Sequence, residues 1–401
     1  MESLSELYKI GSGPSSSHTI APQRAMRLFL QHHPAIDYFE VELYGSLSLT
    51  GKGHFTDLAI QKAVEPISCR VFFKLDWDYD FPNGLLIKGY QKDQLIDTWV
   101  VYSLGGGSIK VLQQDFDFQK KVYPHQSLSV IKSYCKEHNL SYDDYVYQIE
   151  PDIKTHLVVI LDAMIESVQQ GLGKEGLLPG ALKISRISKQ MFEKTRKNLP
   201  LDQLYRQKIT SYAYAVMEEN ASLGEVVTAP TCGSAGILAS LMYHYLIDLE
   251  TDKSRLIDSL AVAGIFGNIV KTNATISGAE GGCQAEVGVG TAMSAAAIAF
   301  LEGGSLDQIE YAAEIGMEHH LGLTCDPVGG YVMIPCIERN AVASLRAKDA
   351  AFMAIYIGVI KANLVSFDMV VNTMKYTGSK IAVELRETSL GGLAQEIIVD
   401  K

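Results

Sequence analysis

Residues 286–301 read Glu-Val-Gly-Val-Gly-Thr-Ala-Met-Ser-Ala-Ala-Ala-Ile-Ala-Phe-Leu, and this run indicates the fold class of the C-terminal half. The run is apolar on every face of a helix, which is the pattern of a helix buried in a large core. It is too short to be a typical membrane-spanning helix. On both sides of it, from residue 153 onward, apolar residues recur at helical spacing and strand signals nearly vanish. The further predicted helices are His156–Gln169, Leu201–Asn220, Ala235–Leu249, Arg255–Val270, Ile309–His320, Ala341–Lys361 and Leu364–Met374.

The N-terminal half has a different pattern, in which short β-type runs alternate with helical ones. The predicted elements are strands at Tyr38–Tyr44, Cys69–Leu75, Leu85–Tyr90 and Asp97–Tyr102, and helices at Ala21–His32 and Thr56–Val64. We therefore expect an α+β N-terminal domain at residues 1–152, with a mixed sheet and flanking helices. A mostly all-α catalytic domain is expected to follow at residues 153–401.

The composition indicates a globular protein with two cores, because 401 residues with 47% hydrophobic content exceed what one core usually holds. A net charge of −11 argues against nucleic acid and membrane as partners, since both reward clustered Lys and Arg. A second apolar stretch, Phe352–Val371, contains Lys361 and Asp368, and we interpret it as another buried helix. Ordinary cysteine usage and a start without a secretion-signal pattern predict a cytoplasmic protein with reduced thiols.

Three cysteines, Cys283, Cys325 and Cys336, lie in glycine- and proline-rich segments that carry little charge. Glycines let the backbone approach a metal group, and Pro327 and Pro335 are expected to keep the chain out of helix at the ligands. Three thiolates would leave one position of a metal site open for a substrate. The spacing matches none of the short zinc or ferredoxin patterns, so buried core cysteines are an equal alternative.

Two loops of the N-terminal half carry side chains suited to binding or catalysis. Residues 11–19 place three consecutive serines and a histidine next to a predicted helix start, where free backbone N–H groups attract anions such as a carboxylate. Residues 45–54 end in a glycine-flanked turn that presents Lys52 and His54. An ordinary helix cap and an ordinary turn are the alternatives.

Two loops of the C-terminal half are also polar. Residues 228–236 precede an apolar helix and offer hydroxyls and backbone amides to a small anion, although the loop has no lysine and is too short for a P-loop. Residues 271–280 bring polar groups directly before Cys283. Such a run between apolar helices is costly to bury without a purpose, so we favour a functional role for it.

Five of these segments together resemble the iron–sulfur-dependent L-serine dehydratases, also called L-serine ammonia-lyases. The resemblance extends from Leu7 to Leu393, with a β-type domain first and an α-type domain second, as in the single-chain members of that family. Five segments in the family's order argue against a chance match. The segments are Gly13-Pro14-Ser15-Ser16-Ser17-His18-Thr19, Thr50-Gly51-Lys52-Gly53-His54, Ala229-Pro230-Thr231-Cys232-Gly233, Ser277-Gly278-Ala279-Glu280-Gly281-Gly282-Cys283-Gln284 and Leu323-Thr324-Cys325-Asp326-Pro327-Val328-Gly329-Gly330.

The resemblance implies a [4Fe-4S] cluster held by Cys283, Cys325 and Cys336, with a fourth iron free to take the substrate. The cluster would act as a Lewis acid and make hydroxide a tolerable leaving group, while a protein base removes the Cα proton of L-serine. The product would then tautomerise and hydrolyse to pyruvate and ammonia.

The identity of the base stays open in the sequence. His54 is the first choice, because imidazole titrates near the working pH and glycines flank the histidine's turn. Lys271 is the alternative and would need a pKa lowered by burial or by the cluster. The residues expected to contact the substrate's carboxylate and ammonium groups are Ser15, Ser16, Ser17, His18, Lys52, Thr231, Asn273 and Ser277.

One departure from the family concerns the C-terminal residues. Several single-chain relatives finish in a cysteine that can reach the cluster, whereas this chain finishes in Val399-Asp400-Lys401. We expect water, or the carboxylate of Asp400 or of the C-terminus, to occupy the fourth iron in the resting enzyme, with greater sensitivity to oxygen as a consequence.

Other functions are weighed against this one. In a cluster-dependent L-cysteine desulfidase sulfide would leave instead of hydroxide, but the serine-rich run of residues 15–17 favours serine. Elimination with pyridoxal phosphate needs a Schiff-base lysine beside a phosphate loop, and Lys271 lacks that setting. A non-enzymatic amino-acid sensor would not need the three cysteines. The expected partners are L-serine and further copies of the chain, in a homo-oligomer taken as a dimer.

Overall fold

The computed structural model describes residues 1–76, 81–112, 114, 116, 121–194 and 199–397. An N-terminal mixed sheet with flanking helices is followed by a mostly helical region, so the predicted fold class is confirmed. Asp400 and the C-terminal carboxylate, the expected resting ligands, lie outside the described residues.

The sheet unit is built from five strands and three helices. The strands are β2 (Tyr38–Gly45), β3 (Ser68–Phe73), β4 (Asn83–Gln91), β5 (Gln94–Gly105) and β6 (Ser108–Val111), and the helices are α1 (Ala21–His32), α2 (Ser46–Leu49) and α3 (Thr56–Val64). The strand order is β3-β2-β4-β5-β6, with β2 and β3 parallel and the other pairs antiparallel. Phe39, Val41 and Leu43 alternate along β2 with half-buried residues and pack with α1 into one apolar cluster. This unit presents its loops 13–20 and 45–55 to the helical unit.

The helical unit contains most of the remaining chain. Its helices are α4 (Leu128–His138), α5 (Tyr142–Ile149), α6 (Ile153–Gly173), α7 (Ser188–Glu193), α8 (Leu201–Asn220), α9 (Ala235–Tyr243), α10 (Lys253–Asn273), α11 (Gly278–Gly281), α12 (Val287–Leu301), α13 (Leu306–Glu318), α14 (Cys336–Gly358), α15 (Phe367–Lys380) and α16 (Leu393–Glu396). Every residue of α12 except Phe300 is buried, as the all-round apolar pattern predicts. The stretch Cys283–Leu301 is apolar enough to cross a membrane by composition, but 89% of it is buried inside the protein. It is therefore a core helix.

The hydrophobic core of the helical unit includes residues from the start of the chain. Leu4, Leu7 and Tyr8 pack into this core, and the hydroxyl of Tyr8 donates to the carbonyl of Leu260 at 2.9 Å. Strand β1 (Ile10–Ser12) pairs with β7 (Glu225–Val227) of the helical unit. Helices α4 and α5 also pack into this core. The boundary predicted between residues 152 and 153 therefore falls between elements that share one hydrophobic core.

The interpretation of Phe352–Val371 as a buried helix is wrong, whereas the prediction of two separate helices, at Ala341–Lys361 and Leu364–Met374, agrees with the interruption that the structure has there. Helix α14 ends at Gly358, a loop follows, and α15 begins at Phe367. Ile360 and Leu364 are 82% and 92% exposed. Apolar composition alone does not show whether a segment is buried in the core or is exposed on a surface that binds another protein.

Candidate metal centre and active site

The three cysteines named by the sequence come from three separate segments of the helical unit. Cys283 follows the short helix α11, and Cys325 lies in a loop whose backbone pairs in parallel with Arg386. Cys336 is the first residue of α14, with Pro335 at its N-cap, so the expectation that proline keeps this ligand out of helix is wrong. Proline is tolerated at a helix start because its missing N–H would have no partner there.

The three thiols are brought together in the fold. The thiols of Cys283 and Cys325 hydrogen-bond to each other, and Cys336 is close enough for its charge to interact with that of Cys283. Hydrogen bonding from Cys325, together with the guanidinium of Arg339, lowers the pKa of Cys283 to about 6. The hydrogen bond with Cys283 and burial raise the pKa of Cys325, and burial raises that of Cys336. A thiolate beside a cation is the form in which cysteine binds a metal.

The separation of the sulfur atoms bears on the kind of metal group that they fit. Among the described residues, the set of three His, Cys, Asp or Glu side chains whose ligand atoms all lie within 4.8 Å of one another is His18, His54 and Glu387. The sulfurs of Cys283, Cys325 and Cys336 do not form such a set. Cysteine thiolates are the ligands that hold iron–sulfur clusters.

Two buried histidines of the sheet unit stack beside this centre. The rings of His18 and His54 are 4.2 Å apart between centroids, with planes inclined by 22°. Burial lowers the pKa of His54 to about 4, and burial followed by the neighbouring His54 ring lowers that of His18 well below its usual range. Both imidazoles are therefore neutral near pH 7.

Backbone carbonyls fix the tautomer of each ring. The carbonyl of Thr50 can only accept, so Nδ1 of His54, 2.9 Å away, carries the proton and Nε2 carries the lone pair. His18 has the opposite tautomer. Its Nε2 lies 3.1 Å from the carbonyl of Ser46, which can only accept, and 2.9 Å from the hydroxyl of Thr50, which itself donates to that carbonyl; its Nδ1 accepts from the hydroxyl of Ser17 at 2.9 Å. Of the two histidines, His54 has the nitrogen that is free to accept a proton.

Two buried carboxyl groups that the sequence did not single out complete the site. Oε1 of Glu387 lies 3.7 Å from Nδ1 of His18 and 3.8 Å from Nε2 of His54. Glu286 accepts a hydrogen bond from the hydroxyl of Thr231 at 2.7 Å, and burial, followed by the charge of Cys283, raises its pKa to about 7. Burial raises the pKa of Glu387 well above its usual range, with the charges of Glu286 and Cys283 adding to the effect.

Close backbone contacts hold the sheet unit against the cysteine segments. A Cβ on Gly53, next to His54, would lie 2.4 Å from the carbonyl carbon of Gly330. Gly105 has a positive φ of 92° in the turn after β5, and a Cβ there would lie 3.2 Å from the Cα of Ser277. Both glycines therefore allow main chain of the first unit to reach the site.

Several of the predicted substrate-binding residues do surround this site. Ser15, Ser16, Ser17, Thr231 and Ser277 are all buried, with Ser15 and Ser17 in contact with His18 and Thr231 in contact with Glu286. The hydroxyl of Ser277 has no hydrogen-bond partner in the described structure. A buried hydroxyl without a partner is available to a bound ligand.

Three predicted site residues have their contacts elsewhere. Lys52 has a 71% exposed side chain and pairs with Asp57. Nζ of Lys271 is 2.6 Å from Glu2 and donates to the carbonyl of Glu6, at a separate pocket of about 330 Å³ between the units. The amide of Asn273 donates to the carbonyls of Gln126 and Ile269. The structure thus does not bring these three side chains to the cysteines.

The fold and this arrangement define a class of two-part proteins in which a helical unit supplies three thiols and a sheet unit supplies histidines. A family model described as "Serine dehydratase beta chain" matches residues 3–71, and one described as "Serine dehydratase alpha chain" matches residues 99–394. The chain is 38% identical to an L-serine dehydratase of Streptomyces coelicolor, over 99% of both chains. It is 37% identical to L-serine dehydratase 1 of Escherichia coli, over 100% of both, and 35% identical to an L-serine dehydratase of Haemophilus influenzae.

The chain belongs to the serine dehydratase family, with the beta and alpha parts fused in one polypeptide. The resemblance deduced from the five sequence segments is thereby confirmed.

Proposed function

We propose that the chain is an L-serine ammonia-lyase that converts L-serine to pyruvate and ammonia with a [4Fe-4S] cluster held by Cys283, Cys325 and Cys336. The observation that carries the proposal is the convergence of three thiols from the helical unit with two stacked histidines from the sheet unit. When bound, the cluster would supply a Lewis-acidic iron for the substrate's hydroxyl group.

We assign the removal of the Cα proton to Nε2 of His54. This nitrogen carries a lone pair, because Nδ1 donates to the carbonyl of Thr50. Burial keeps the ring neutral and keeps bulk water away from it. Lys271, the alternative base, is already paired with Glu2 and contacts the carbonyl of Glu6, which favours His54.

The substrate's carboxylate is assigned to the hydroxyls of the sheet unit and of the segment before Cys283. Ser15 and Ser17 lie within hydrogen-bonding distance of each other and of His18, and Ser277 has a hydroxyl that no described group satisfies. Several hydroxyls and few cations suit a small carboxylate that must also be released as product. Lys52 and Asn273 would have to leave their present partners to take part.

The test is anaerobic reconstitution with iron and sulfide, followed by measurement of visible absorbance and of pyruvate formed from L-serine. The parent protein should be coloured and active. The variants Cys283→Ser, Cys325→Ser and Cys336→Ser should lose both properties, whereas Cys135→Ser, a buried cysteine of α4 remote from this site, should keep them. Full activity in colourless, metal-free parent protein would refute the proposal.

We also propose that the enzyme works as a homodimer in the cytoplasm. The support for self-association is the exposed apolar surface formed by the end of α14 and the loop after it. Phe352, Tyr356, Val359, Ile360 and Leu364 are all more than half exposed there. Large apolar side chains grouped on an exposed surface mark a site of contact between proteins.

A further inference from the structure

We propose that Glu387 binds the α-ammonium group of the substrate and so selects amino acids over acids that lack the amine. The inference rests on the proposed function and adds a residue that neither the sequence motifs nor the cysteine centre identifies. It begins from a buried carboxyl group, 3% exposed, that faces both histidines of the site.

The backbone of Glu387 is held from two sides. Its N–H donates to the carbonyl of Cys325 at 2.7 Å, and the N–H of Cys325 donates to the carbonyl of Leu385 at 2.8 Å. From the sheet unit, the hydroxyl of Ser46 donates to the carbonyl of Glu387 at 2.6 Å. The carboxyl group therefore has a fixed position relative to a predicted cluster ligand and to the histidine loops.

The carboxyl group of Glu387 has no cationic partner among the described residues. Its ion-pair neighbours are the two histidines, and both of these are neutral. Its Oε2 atom is buried and has no hydrogen-bond partner in the described part of the chain, whereas an oxygen of Glu286 accepts from Thr231. The backbone N–H of Ala279 is near enough to the carboxyl group to favour its ionised form, but the effect of burial is larger. Without a counter-charge, burial favours the neutral form of this carboxyl group, and an ammonium group brought by the ligand would stabilise its ionised form.

The distance between Glu387 and His54 fits this role. A base that removes the Cα proton approaches Cα to roughly 3–3.5 Å, and the amine nitrogen is about 1.5 Å from Cα. An N–H···O bond between charged groups adds about 2.8 Å, so the ammonium acceptor lies no farther than about 8 Å from the base. Oε1 of Glu387 is 3.8 Å from Nε2 of His54, which is within that limit.

The positions of His18, His54 and Glu387 relative to one another also support this role for Glu387. The ligand atoms of His18, His54 and Glu387 lie within 4.8 Å of one another, so all three face a common point. A Cβ on Gly278 would lie 3.4 Å from Oε2 of Glu387, so the main chain of a residue without a side chain lies beside the second carboxyl oxygen. Oε1 faces the base, and Oε2 is the buried oxygen without a hydrogen-bond partner that an ammonium group would satisfy.

The experiment compares Glu387→Gln with the parent in reconstituted, anaerobic protein, using two unreactive probes. L-alanine carries the ammonium group, and propanoate has the same carbon skeleton without it. Calorimetric titration should show that the parent binds L-alanine more tightly than propanoate. In Glu387→Gln the affinity for L-alanine should fall at least about 30-fold, while the affinity for propanoate changes less than about threefold.

Other results would overturn the inference. Equal weakening of both probes would indicate a structural role, and no weakening of L-alanine binding would remove Glu387 from the ammonium site. The matched control is Glu150→Gln, a buried carboxyl whose hydrogen-bond donors, Ser3 and Tyr123, are not residues of this site, and it should leave both affinities unchanged.

Two further measurements keep the test decisive. If Glu387→Gln fails to take up the cluster, Glu387→Asp keeps the charge on a shorter side chain and should retain a preference for L-alanine. A coloured, active parent that binds propanoate as tightly as L-alanine would overturn the inference while leaving the proposed function intact. A colourless parent that still forms pyruvate would instead contradict the proposed function.

Discussion

At the scale of single residues, the site depends on which nitrogen of each imidazole is protonated. Hydrogen bonds to main-chain carbonyls give His18 and His54 opposite tautomers, although the two rings are stacked. A carbonyl cannot donate, so this arrangement does not depend on any side chain changing its protonation state. Both ring nitrogens of His18 are therefore hydrogen-bonded, whereas Nε2 of His54 has a free lone pair.

We expect His54→Gln to lower kcat by about 100- to 10,000-fold, because the variant keeps a polar side chain but loses the base. The visible absorbance and the affinity for L-alanine should remain near those of the parent. The measurement is anaerobic pyruvate formation at saturating L-serine. The control is His320→Gln, since His320 is another buried histidine whose Nδ1 lies 2.7 Å from a backbone carbonyl, that of Gly316.

The pH profile extends this prediction. A base must be unprotonated, and burial lowers the pKa of His54 to about 4. Measured as kcat at saturating L-serine, where the bound ammonium group keeps Glu387 ionised, activity should therefore hold as pH falls from 8 to about 5 and decline only near the lowered pKa. An acid limb centred near the ordinary histidine value of about 6.5 would contradict the assignment.

The site residues that sequence reasoning found and missed differ in how local their signals are. His54 lies in a glycine-flanked turn, and the cysteines lie in glycine- and proline-rich segments, so short patterns indicate them. Glu387 lies in an ordinary polar run, Arg386-Glu387-Thr388-Ser389, whose position depends on long-range pairing with Cys325. No local pattern encodes that pairing.

At the scale of secondary-structure elements, apolar periodicity set the bounds of several helices correctly. The helices Ala21–His32, Thr56–Val64 and Leu201–Asn220 have the predicted ends. The start of α14 was predicted five residues late, at Ala341 instead of Cys336, because Pro335 and the polar residues after it resemble a loop. Proline occurs both at the start of a helix and at points where a helix is interrupted. The sequence alone therefore does not show whether a helix begins after Pro335 or a loop continues there.

The turn that carries His54 provides a prediction at this scale. A Cβ on Gly53 would lie 2.4 Å from the carbonyl carbon and 2.5 Å from the carbonyl oxygen of Gly330. We expect Gly53→Ala to cost about 1–3 kcal/mol of unfolding free energy and to lower kcat/KM, because the turn must move away from the cysteine segments.

Thermal unfolding and steady-state kinetics of the same preparation would measure both effects. Gly173→Ala at the end of α6 is the matched control, because nothing lies within 4 Å of the added carbon. A Gly53→Ala variant as stable and as active as the control would show that the turn is not fixed by this contact.

At the scale of the whole molecule, the sequence indicated two units and their fold classes. It did not predict which residues pack into each hydrophobic core. Residues 1–8 lie far from α10 in the chain, yet Leu4 and Tyr8 pack against it at Gly264. Contacts between residues so far apart along the chain produce no periodic pattern in a single sequence. The position of Lys271 between the units was missed for the same reason.

The exposed apolar surface near the end of α14 leads to a prediction about assembly. Light scattering during size-exclusion chromatography should give the mass of a dimer for the parent. A double variant, Ile360→Asp with Leu364→Asp, should give a monomer, because burying the new charges would be costly.

The control for assembly is Leu75→Asp, since Leu75 is 77% exposed and follows β3 of the sheet unit. It should remain dimeric. A parent that elutes as a monomer at micromolar concentration would contradict the proposed homodimer.

The contact of Gly53 with Gly330 has a consequence for the passage of substrate. Side chains that block a route can swing aside by changing rotamer, but peptide groups that touch directly have no such freedom. His54 and Cys283 are almost fully covered, so we expect serine to enter through a movement of the sheet unit away from the helical unit. The rate of such a movement would set an upper limit on turnover, however fast the bond-breaking step is.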